Sequence, residues 1–314
     1  MTIAKATGNS HLSTPRFQPR LLIHGGAGTL FKGRLSPERE VLARTGLQQA
    51  LEQAKSALEH SALEAVSIAV SVLEDCPAFK AGRGAVYTHE GTQEMDAAIM
   101  LGSTQAAGAI AGVKGIKNPI QAARQVLEHS PHVLLMGAGA EAFAREQGCI
   151  FTEPSYFHSD YRWQQLLSIR DSQSTALDHN LGTVGAVALD EHGILAAATS
   201  TGGMTNKRYG RVGDSPLIGC GTYATPWCAI SATGHGEYFI RSAFASTIAT
   251  RLRYSKTPLH MICEEALADI SHLGGGGGVI AIDAQGNFAM PFNTGRMYRG
   301  TITSDGSPDI AIYA

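Results

Sequence analysis

One short stretch of this chain combines a potential nucleophile with a flexible residue at the start of a predicted strand. Gly182 directly precedes Thr183, and the apolar, β-branched run Val184–Leu189 follows. If the Gly182–Thr183 bond were cut, Thr183 would carry a free α-amine beside its own hydroxyl. An α-amine has an unperturbed pKa of about 7.7–8.0, so near neutral pH a useful fraction can accept the hydroxyl proton. Alternatively, Thr183 is an ordinary β-former, and this stretch alone favours that interpretation.

Several other segments also place Thr, Gly or charged residues at the mouth of a strand or helix, where backbone amides are free. They are, in chain order, His24-Gly25-Gly26-Ala27-Gly28, Thr199-Ser200-Thr201-Gly202-Gly203, Gly210-Arg211-Val212-Gly213-Asp214-Ser215-Pro216, Ala232-Thr233-Gly234 and Pro291-Phe292-Asn293-Thr294. In the first, the glycine cluster permits close backbone approach or forms an anion nest, and a tight turn fits equally well. Each segment alone is a weak indication of function.

A different chemistry is suggested by Gly137-Ala138-Gly139, which follows a predicted strand ending at Met136. A G-x-G-x-x-A pattern after a strand resembles a dinucleotide-binding turn, where backbone amides and a helix N-terminus hold a pyrophosphate. However, the following helix would end at Gly148, and the expected acidic residue has no clear second strand to follow. We favour a structural turn here, with a nucleotide-binding oxidoreductase as a remote alternative.

Composition narrows the class of partner. The chain has 314 residues, 17% of them charged, and a net charge of −2 without a Lys/Arg cluster. This balance gives no electrostatic footprint for nucleic acid or an anionic membrane, so a small molecule or dipeptide is the expected substrate. The five cysteines include no C-x-x-C pair, which argues against a disulfide framework and a thiolate zinc site. We expect a reducing, cytoplasmic compartment.

The termini and hydropathy add little. No apolar run approaches the ~18 residues needed to span a bilayer, and residues 1–19 lack the apolar region of a secretory signal. That segment is polar and contains two prolines, so we predict a disordered extension there.

The predicted elements place Thr183 at the outer end of a core β-hairpin, formed by Val184–Leu189 and Ile194–Ala198. Further elements are predicted from alternation, capping residues and helical periodicity. They are a strand at Arg20–Ile23, a helix capped by Ser36-Pro37, a helix opened by Ser61-x-x-Glu64, a hairpin of Met95–Leu101 and Ala107–Val113, a helix capped by Asn118-Pro119, a helix over Asp160–Arg170, a long helix from His235 through Ile248, a helix capped by Thr257-Pro258 and a last hairpin of Val279–Asp283 and Asn287–Met290.

Taken together and in this order, the segments above and Gly182–Asp190 resemble the plant-type asparaginase and isoaspartyl peptidase family of N-terminal-nucleophile hydrolases. The resemblance covers nearly all of residues 20–314. It implies an α+β fold, a four-layer αββα sandwich, in one domain over residues 20–314. It also implies self-cleavage at Gly182–Thr183 into an α chain (1–182) and a β chain (183–314), with residues 171–182 as the linker.

The resemblance assigns roles residue by residue. Thr183 would be the nucleophile, and Thr201 would orient its hydroxyl; a Thr that only bonds backbone at a strand end is the alternative. Thr233 and Gly234 would form the oxyanion hole. The roles in substrate binding fall on Arg211 and Asp214, which would grip an α-carboxylate and an α-ammonium, with added backbone contacts from Gly234 and Gly236. Without the resemblance, a salt bridge within a turn would be preferred for Arg211 and Asp214.

Three positions depart from the family pattern. Lys80 replaces the usual Asn of a Phe-Asn-Ala-Gly loop, and Arg83 stands where a neutral residue is usual. These two cations would modify processing, leaving-group preference or activity, or else their charged ends face solvent. His235 replaces a commoner Thr or Asn; its ring would either face the leaving group and add pH dependence or lie in a solvated loop.

The predicted function is a self-processing amidohydrolase that cleaves isoaspartyl dipeptides and, less well, L-asparagine through a Thr acyl-enzyme. The alternatives are a glycosylasparaginase of the same fold and a poorly active or uncleaved family member that serves as a binding protein. The resemblance implies a homodimer of αβ units. No cofactor is expected; the family's sodium or potassium ion, held by backbone carbonyls near Leu73–Lys80, is disfavoured by the nearby positive charge.

Overall fold

The computed structural model describes residues 17–29, 35–171, 182–302 and 306–314. Most of the predicted extension (1–19) and of the predicted linker (171–182) therefore lies outside the described residues. Phe17 N donates a hydrogen bond to the Glu191 carbonyl, so the described chain already packs before the predicted boundary at residue 20.

Runs of strands and runs of helices follow one another along the described chain. The strands are β1 (Arg20–Gly28), β2 (Met95–Leu101), β3 (Ala107–Val113), β4 (Leu134–Met136), β5 (Val184–Leu189), β6 (Leu195–Thr201), β7 (Thr222–Ala224), β8 (Cys228–Gly234), β9 (Gly277–Asp283), β10 (Phe288–Ala289), β11 (Arg296–Ile302) and β12 (Pro308–Ala311). The helices are α1 (Pro37–Leu58), α2 (Ala62–Asp75), α3 (Pro119–His129), α4 (Gly137–Glu146), α5 (Pro154–Phe157), α6 (Asp160–Asp171), α7 (Gly236–Arg241), α8 (Phe244–Tyr254) and α9 (Leu259–His272), with a 3-10 turn at Gly82–Gly84.

The strands form two sheets. The larger has the order β12-β11-β1-β5-β6-β2-β3-β4, and the smaller has the order β10-β9-β8-β7. All pairings are antiparallel except β3 with β4. One strand from the first half of the chain, β1, therefore lies between β5 and β11 from the second half, and β2, β3 and β4 continue the sheet beyond β6.

The two sheets stack between two helical layers. Alternate residues of β5 serve opposite faces, because Val184 and Ala186 contact the core under α1, α2 and α3, whereas Val187 and Leu189 contact the core between the sheets. The outer face of the smaller sheet is covered by α8 and α9. Burial on both faces explains why these strands are almost continuously apolar. The predicted α+β, four-layer αββα fold is confirmed.

Local signals set several boundaries as predicted. The Ser36 hydroxyl accepts a hydrogen bond from Arg39 N at 3.4 Å, and the Ser61 hydroxyl accepts one from Glu64 N at 3.2 Å. Each such cap stabilises a helix start by about 1 kcal/mol. The β5–β6 hairpin also forms, and its register pairs Val184 with Ser200. That register brings residue 183 to the end of β6.

Of the alternatives predicted for the glycine cluster near the N-terminus, the structure shows the close backbone approach and not a turn, and the strand is longer than predicted. β1 continues through it to Gly28, with an irregular register between His24 and Gly26. Gly26 has φ +101°, and a Cβ there would lie 2.8 Å from Gly182 Cα. The glycines are therefore needed because the chain at Gly182 passes close to this strand.

The predicted long helix through Ile248 is wrong, because it is two helices. Ala243 adopts φ 45° between α7 and α8, and the Ser242 hydroxyl donates to the Tyr238 carbonyl at 2.9 Å. A side chain that bonds the preceding turn competes with helix continuation. The predicted last hairpin (β9 and β10) is also not the last, since β11 and β12 follow it.

The Gly137–Gly139 turn lies at the edge of the larger sheet. β4 is exposed there, and Cβ atoms built on these two glycines would have no neighbour within 4 Å. A dinucleotide site uses glycines to bring a helix and a strand close, next to a second parallel strand. β4 does pair in parallel with β3, but no atom packs against either glycine, so the close helix–strand contact of a dinucleotide site is missing and the oxidoreductase alternative loses its structural basis. Within the described residues, no helix has the length and apolar character to cross a membrane.

Candidate active site

Thr183 lies immediately before β5, at the end of the larger sheet, and is only 6% exposed. Its hydroxyl donates to Thr201 Oγ1 at 3.2 Å, and Thr201 is the last residue of the neighbouring strand β6. The hairpin register alone brings these two side chains together. The nucleophile candidate is thus held by a hydrogen bond within the core of the fold.

Thr201 also contacts the carbonyl that Thr183 would attack. Its hydroxyl donates to Gly182 O at 3.3 Å and accepts from Gly203 N at 3.0 Å. A hydroxyl has one proton and two lone pairs, so Thr201 can accept from Thr183 and Gly203 while it donates to Gly182. This arrangement polarises the Gly182 carbonyl beside the Thr183 hydroxyl.

The Gly182–Thr183 bond is held between β1 and the side chain of Lys80. A Cβ on Gly182 would lie 2.7 Å from both Cγ and Cδ of Lys80, so only glycine fits against this stem. Lys80 is 5% exposed, and its carbonyl accepts from Gly202 N at 2.6 Å. The substitution noted in the sequence therefore faces the scissile bond.

The two oxyanion-hole candidates end β8 of the smaller sheet. Thr233 is fully buried, and its Oγ1 accepts a hydrogen bond from Ala27 N at 3.3 Å. Gly234 follows it and shares a recess with Thr183. The two sheets therefore contribute the nucleophile and the oxyanion donors separately.

We call this recess the polar recess. Its lining residues are Gly182, Thr183, Thr201, Gly203, Met204, Arg211, Gly213, Asp214, Ser215 and Gly234. Its volume is about 10 Å³, which is space for roughly one water molecule. The structure thus brings six predicted site residues together, namely Gly182, Thr183, Thr201, Arg211, Asp214 and Gly234, but the continuous chain leaves no room for an amino-acid substrate.

Arg211 and Asp214 converge on Gly236. A Cβ there would lie 2.8 Å from Arg211 Nη2 and 2.8 Å from Asp214 Oδ1, so the glycine keeps this corner open. Asp214 is 4% exposed, and its Oδ2 lacks a hydrogen-bond donor among the described residues. Burial raises the pKa of Asp214 to about 7, although the charge of Arg211 opposes that rise. An ammonium group bound here would satisfy the oxygen.

Arg211 forms its ion pair with Glu237, not with Asp214. Arg211 Nε lies 2.9 Å from Glu237 Oε1 and Nη2 lies 3.1 Å from Oε2, which is a bidentate contact. Partial burial raises the pKa of Glu237, but the hydrogen bond and charge of Arg211 lower it overall. Sequence reasoning missed this partner, although an acid directly after Gly236 was a usable signal.

Lys207 supports the same loop and was also missed. Its buried Nζ lies 3.4 Å from Glu94 Oε2 and donates to the Arg211 carbonyl at 3.3 Å. A Cβ on Gly203 would lie 3.1 Å from Lys207 Cδ. The lysine therefore fixes the backbone between the two sides of the polar recess.

A buried polar chain connects the sheets behind Thr183. His24 Nε2 lies 2.9 Å from Ser231 Oγ, which lies 2.7 Å from Thr199 Oγ1. Burial lowers the pKa of His24 to about 3, against the opposing effect of a hydrogen bond with the Thr183 backbone. The His24 ring is therefore neutral. Position 185 needs glycine beside this polar chain, because a Cβ there would lie 2.0 Å from Ser231 Oγ.

The other two departures from the family pattern lie away from the nucleophile. Arg83 is exposed and its guanidinium lies 5.7 Å from the centre of the Tyr156 ring. His235 Nδ1 accepts a hydrogen bond from Gly276 N at 3.1 Å, which ties the end of β8 to the glycine run. Neither side chain lines the polar recess.

The loop after α2 was the predicted place for a monovalent ion. There, Arg162 Nε donates to Gly84 O at 3.2 Å and Nη2 donates to Ala78 O at 3.5 Å. Of these two acceptors only Ala78 O lies within Leu73–Lys80, so whether this loop holds a monovalent ion stays a prediction. Among the described residues, no group of three or more His, Cys, Asp or Glu side chains could hold a metal.

A much larger pocket, of about 580 Å³, is lined mainly by apolar groups, including Tyr87, Phe157 and Trp163. None of the predicted catalytic residues lines it. Volume is therefore a poor guide to chemistry in this molecule, since the convergent polar groups lie in the small recess.

Comparison with known proteins agrees with the geometry. A sequence profile described as "Asparaginase" matches residues 17–312. The chain is 47% identical over 306 residues to the isoaspartyl peptidases of Salmonella typhimurium and Escherichia coli, covering 93% of this chain and 98% and 95% of theirs. It is 38% identical over 286 residues to the isoaspartyl peptidase/L-asparaginase of Danio rerio, covering 89% of this chain and 90% of that one.

Proposed function

Because the chain belongs to the asparaginase family, we propose that it cuts its own Gly182–Thr183 bond and then uses Thr183 to hydrolyse the side-chain amide of its substrate. The activity class follows from the relatives, since 47% identity spans 93% of the chain. It is an isoaspartyl peptidase/L-asparaginase, an amidohydrolase of the N-terminal-nucleophile type.

The observation that carries the proposal is the hydrogen-bond chain from Thr183 through Thr201 to Gly182 O. When the Thr183 hydroxyl oxygen attacks the Gly182 carbonyl carbon, a C–O bond forms and the peptide C–N bond breaks. The acyl group moves from nitrogen to oxygen, and the hydroxyl proton goes to the nitrogen, which becomes the free α-amine. Water then hydrolyses the ester, which leaves a carboxylate on Gly182 and restores the Thr183 hydroxyl. The Thr201 hydroxyl, which donates a hydrogen bond to Gly182 O, stabilises the negative charge that develops on this oxygen.

The same hydroxyl then acts on substrate. The new α-amine takes the hydroxyl proton as Thr183 attacks the side-chain amide carbon, and it returns the proton to the departing nitrogen. Thr233 and Gly234 donate hydrogen bonds to the oxyanion, once Thr233 turns its proton into the recess. Hydrolysis of the acyl-enzyme by water releases aspartate.

The head group of the substrate fits the two charges at Gly236. The α-ammonium would donate to Asp214 Oδ2, which lacks a donor among the described residues. The α-carboxylate would bind Arg211, which has five N–H donors and so can serve Glu237 and a ligand together. Amino-acid head groups carry both charges, which explains why one recess contains both partners.

Denaturing mass spectrometry of freshly purified protein tests the proposal. The wild type should give two fragments that divide before Thr183, whereas Thr183→Ala should remain one chain without activity. Thr183→Ser is the matched variant, because it keeps a hydroxyl nucleophile and should still divide. The proposal would be contradicted if the wild-type chain stayed intact and the Thr183→Ala variant were as active as the wild type. Comparing isoaspartyl peptides with glycosyl-asparagine separates the glycosylasparaginase alternative.

We further propose a homodimer of αβ units in a reducing cytoplasm. The dimer rests on the family resemblance alone, and the compartment rests on five cysteines that all remain free thiols. Light scattering of the processed protein should give twice the mass of one chain, and a monomer would contradict the dimer. Cell fractionation tests the compartment.

A further inference from the structure

The loop that contains Arg211 is held from inside by a buried lysine. Residues 208–210 are exposed, whereas the side chain of Lys207 is only 2% exposed. We propose that Lys207, held by Glu94, is a positioning residue that places Arg211 for the α-carboxylate of the substrate. The pair thereby sets the preference of the enzyme for substrates in which this carboxylate is free. The inference rests on the proposed function and names the contact that selects one end of the head group.

The backbone of this loop does not form a regular ladder of hydrogen bonds. Tyr209 and Gly210 have φ values of 59° and 69°, which lie outside those of helices and strands. Arg211 N donates to the Arg208 carbonyl at 3.1 Å, as in a turn. The Arg211 carbonyl accepts a hydrogen bond from Lys207 Nζ at 3.3 Å. The lysine therefore bonds across the loop, from its first residue to its fifth.

Carboxylates at the start of β2 fix the position of this ammonium. Glu94 and Asp96 are alternate residues, which share one face of an extended chain. Glu94 Oε2 lies 3.4 Å from Lys207 Nζ. Burial raises the pKa of Asp96, and the charge of Lys207 opposes that rise. Asp96 also pairs with Thr201 in the sheet, so this charged cluster lies beside the catalytic end of β6. A buried ammonium needs such partners, and they determine where Nζ lies.

Glu94 also contacts a second lysine, which provides an internal comparison. Lys114 Nζ lies 3.5 Å from Glu94 Oε1, but its side chain is 56% exposed. Water and salt weaken an exposed ion pair, whereas removing one partner from a buried pair is costly. One carboxylate thus serves a surface lysine and a buried lysine, and the buried one, Lys207, bonds the substrate-binding loop.

The position of the Arg211 backbone matters because an amino-acid head group has fixed dimensions. Its carboxylate and ammonium are bonded to one carbon atom, so Arg211 and Asp214 must keep a fixed separation to bind both. The Asp214 end is held independently, since its carbonyl accepts from Gly221 N at 3.0 Å. Loss of the Lys207 ammonium would therefore release the Arg211 end of the site and leave the Asp214 end in place.

The test measures kcat and KM of the processed protein on L-asparagine and on L-asparaginamide, in which an amide replaces the α-carboxylate. Lys207→Met keeps most of the apolar stem and removes the ammonium. We expect KM for L-asparagine to rise about tenfold or more with little change in kcat, because the lost contact is remote from the reacting amide. On L-asparaginamide both constants should stay close to those of the wild type, since this substrate offers Arg211 no charge.

Two further variants separate the role of Glu94 from a general effect of charge. Glu94→Gln should raise KM for L-asparagine by a smaller factor, and the double variant with Lys207→Met should match Lys207→Met alone, because Glu94 acts through the lysine. Lys114→Met is the matched control. It removes the exposed partner of the same carboxylate and should leave the constants for both substrates unchanged.

Several outcomes would overturn the inference. They are equal losses on the two substrates in Lys207→Met, additive losses in the double variant, and the same change in Lys114→Met as in Lys207→Met. If Lys207→Met fails to fold, Glu94→Gln provides the test, and an unchanged ratio of kcat/KM between the substrates would overturn the inference. That ratio does not depend on the fraction of processed enzyme. A wild type that hydrolyses neither L-asparagine nor isoaspartyl peptides would instead refute the proposed function.

Discussion

Two small recesses meet at Gly182: the polar recess, of about 10 Å³, and a second recess of about 30 Å³, the cationic recess, which is lined by Arg39, Lys80, Arg162 and Arg296. The polar recess carries Arg211 and Asp214, with Glu237 paired to the arginine, so positive and negative groups alternate. The cationic recess is lined by cationic side chains, and its described lining residues include no carboxylate. Gly182 thus lies between a recess with groups of both signs and a recess with cationic side chains. The two sides of Gly182 therefore differ in the side-chain charges that line them.

The two recesses also draw on different parts of the fold. The polar recess is built from the second half of the chain alone, by residues that lie between Gly182 and the end of β8. The cationic recess takes one cationic side chain each from α1, the loop after α2, α6 and β11. Substitutions can therefore change one recess without touching the other, and the predictions below exploit that independence.

The largest expected effect comes from a substitution beside Gly182, the residue that lines both recesses. Gly26→Ala would place a Cβ 2.8 Å from Gly182 Cα and 2.9 Å from Thr183 N, at φ +101°. We expect self-cleavage to slow by about 10³-fold, because a displacement of this size removes the attack geometry. The measurement is the cleaved fraction over time by denaturing electrophoresis. Gly148→Ala is the control, since Gly148 also has positive φ but no neighbour within 4 Å; equal rates in both variants would contradict the prediction.

Asp214→Asn changes the polar recess alone. Loss of the charge that binds the α-ammonium should lower kcat/KM by about 10²–10³-fold for every substrate, as expected when one partner of a buried charge pair is removed. Asp160→Asn, at an exposed carboxylate, is the control for charge alone. Equal kcat/KM in the two variants would contradict the prediction.

The same substitution should stabilise the protein in alkaline buffer. Burial raises the pKa of Asp214 to about 7, whereas an unfolded aspartate has a pKa of about 3.9. The native state therefore binds more protons between these values, and stability falls as the pH rises from about 4 to 7. Asp214→Asn removes that loss, so its melting temperature should exceed that of the wild type at pH 8. Equal melting temperatures would argue against a raised pKa of Asp214 in the folded protein.

A pH profile sharpens the comparison with a smaller effect. Because Asp214 must be ionised to hold an ammonium and the Thr183 α-amine must be neutral to accept a proton, kcat/KM of the wild type should fall by about tenfold to 100-fold per pH unit below pH 7. The cationic recess contains no histidine or carboxylate among its described lining residues, so we assign this fall to the polar recess. A kcat/KM that stays constant below pH 7 would contradict the prediction.

The smallest expected effect concerns Glu237, which is half-exposed and competes with the substrate carboxylate for Arg211. Glu237→Gln removes that negative charge, so KM should fall about threefold with little change in kcat, in the range of a partly exposed ion pair. Glu265→Gln, at an exposed acid on α9, is the control. A higher KM would mean that Glu237 orients Arg211 more than it competes for it.

Much of the scaffold could be predicted from local sequence. The β5–β6 hairpin, the caps at Ser36 and Ser61 and the β2–β3 hairpin depend on nearby residues and form as expected. The break at Ala243 and strand β11 were missed. In β11, Arg296 and Arg299 interrupt the apolar pattern by which a strand is recognised. The fold tolerates them because ring stacking and backbone acceptors compensate for their burial.

Sequence motifs could identify the residues of the candidate site but not their arrangement in space. Ser231 lies 207 positions from His24, and no local pattern links them. The cationic recess joins residues 39, 80, 162 and 296, each of which has a solvated-surface interpretation on its own. The ion pair between Arg211 and Glu237 likewise depends on how α7 meets the loop. Charge complementarity across a fold is a tertiary property, and single-sequence patterns do not contain it.

The strand order has a consequence for the life of the molecule. β1 lies between β5 and β11, and β2 pairs with β6, so the strands on either side of residue 183 are interleaved in one sheet. A cut before Thr183 leaves two chains, neither of which has a complete sheet. Folding is then a unimolecular event available once, to the precursor; the mature enzyme, if denatured, can reassemble only by a meeting of two incomplete partners, at a rate set by their concentration.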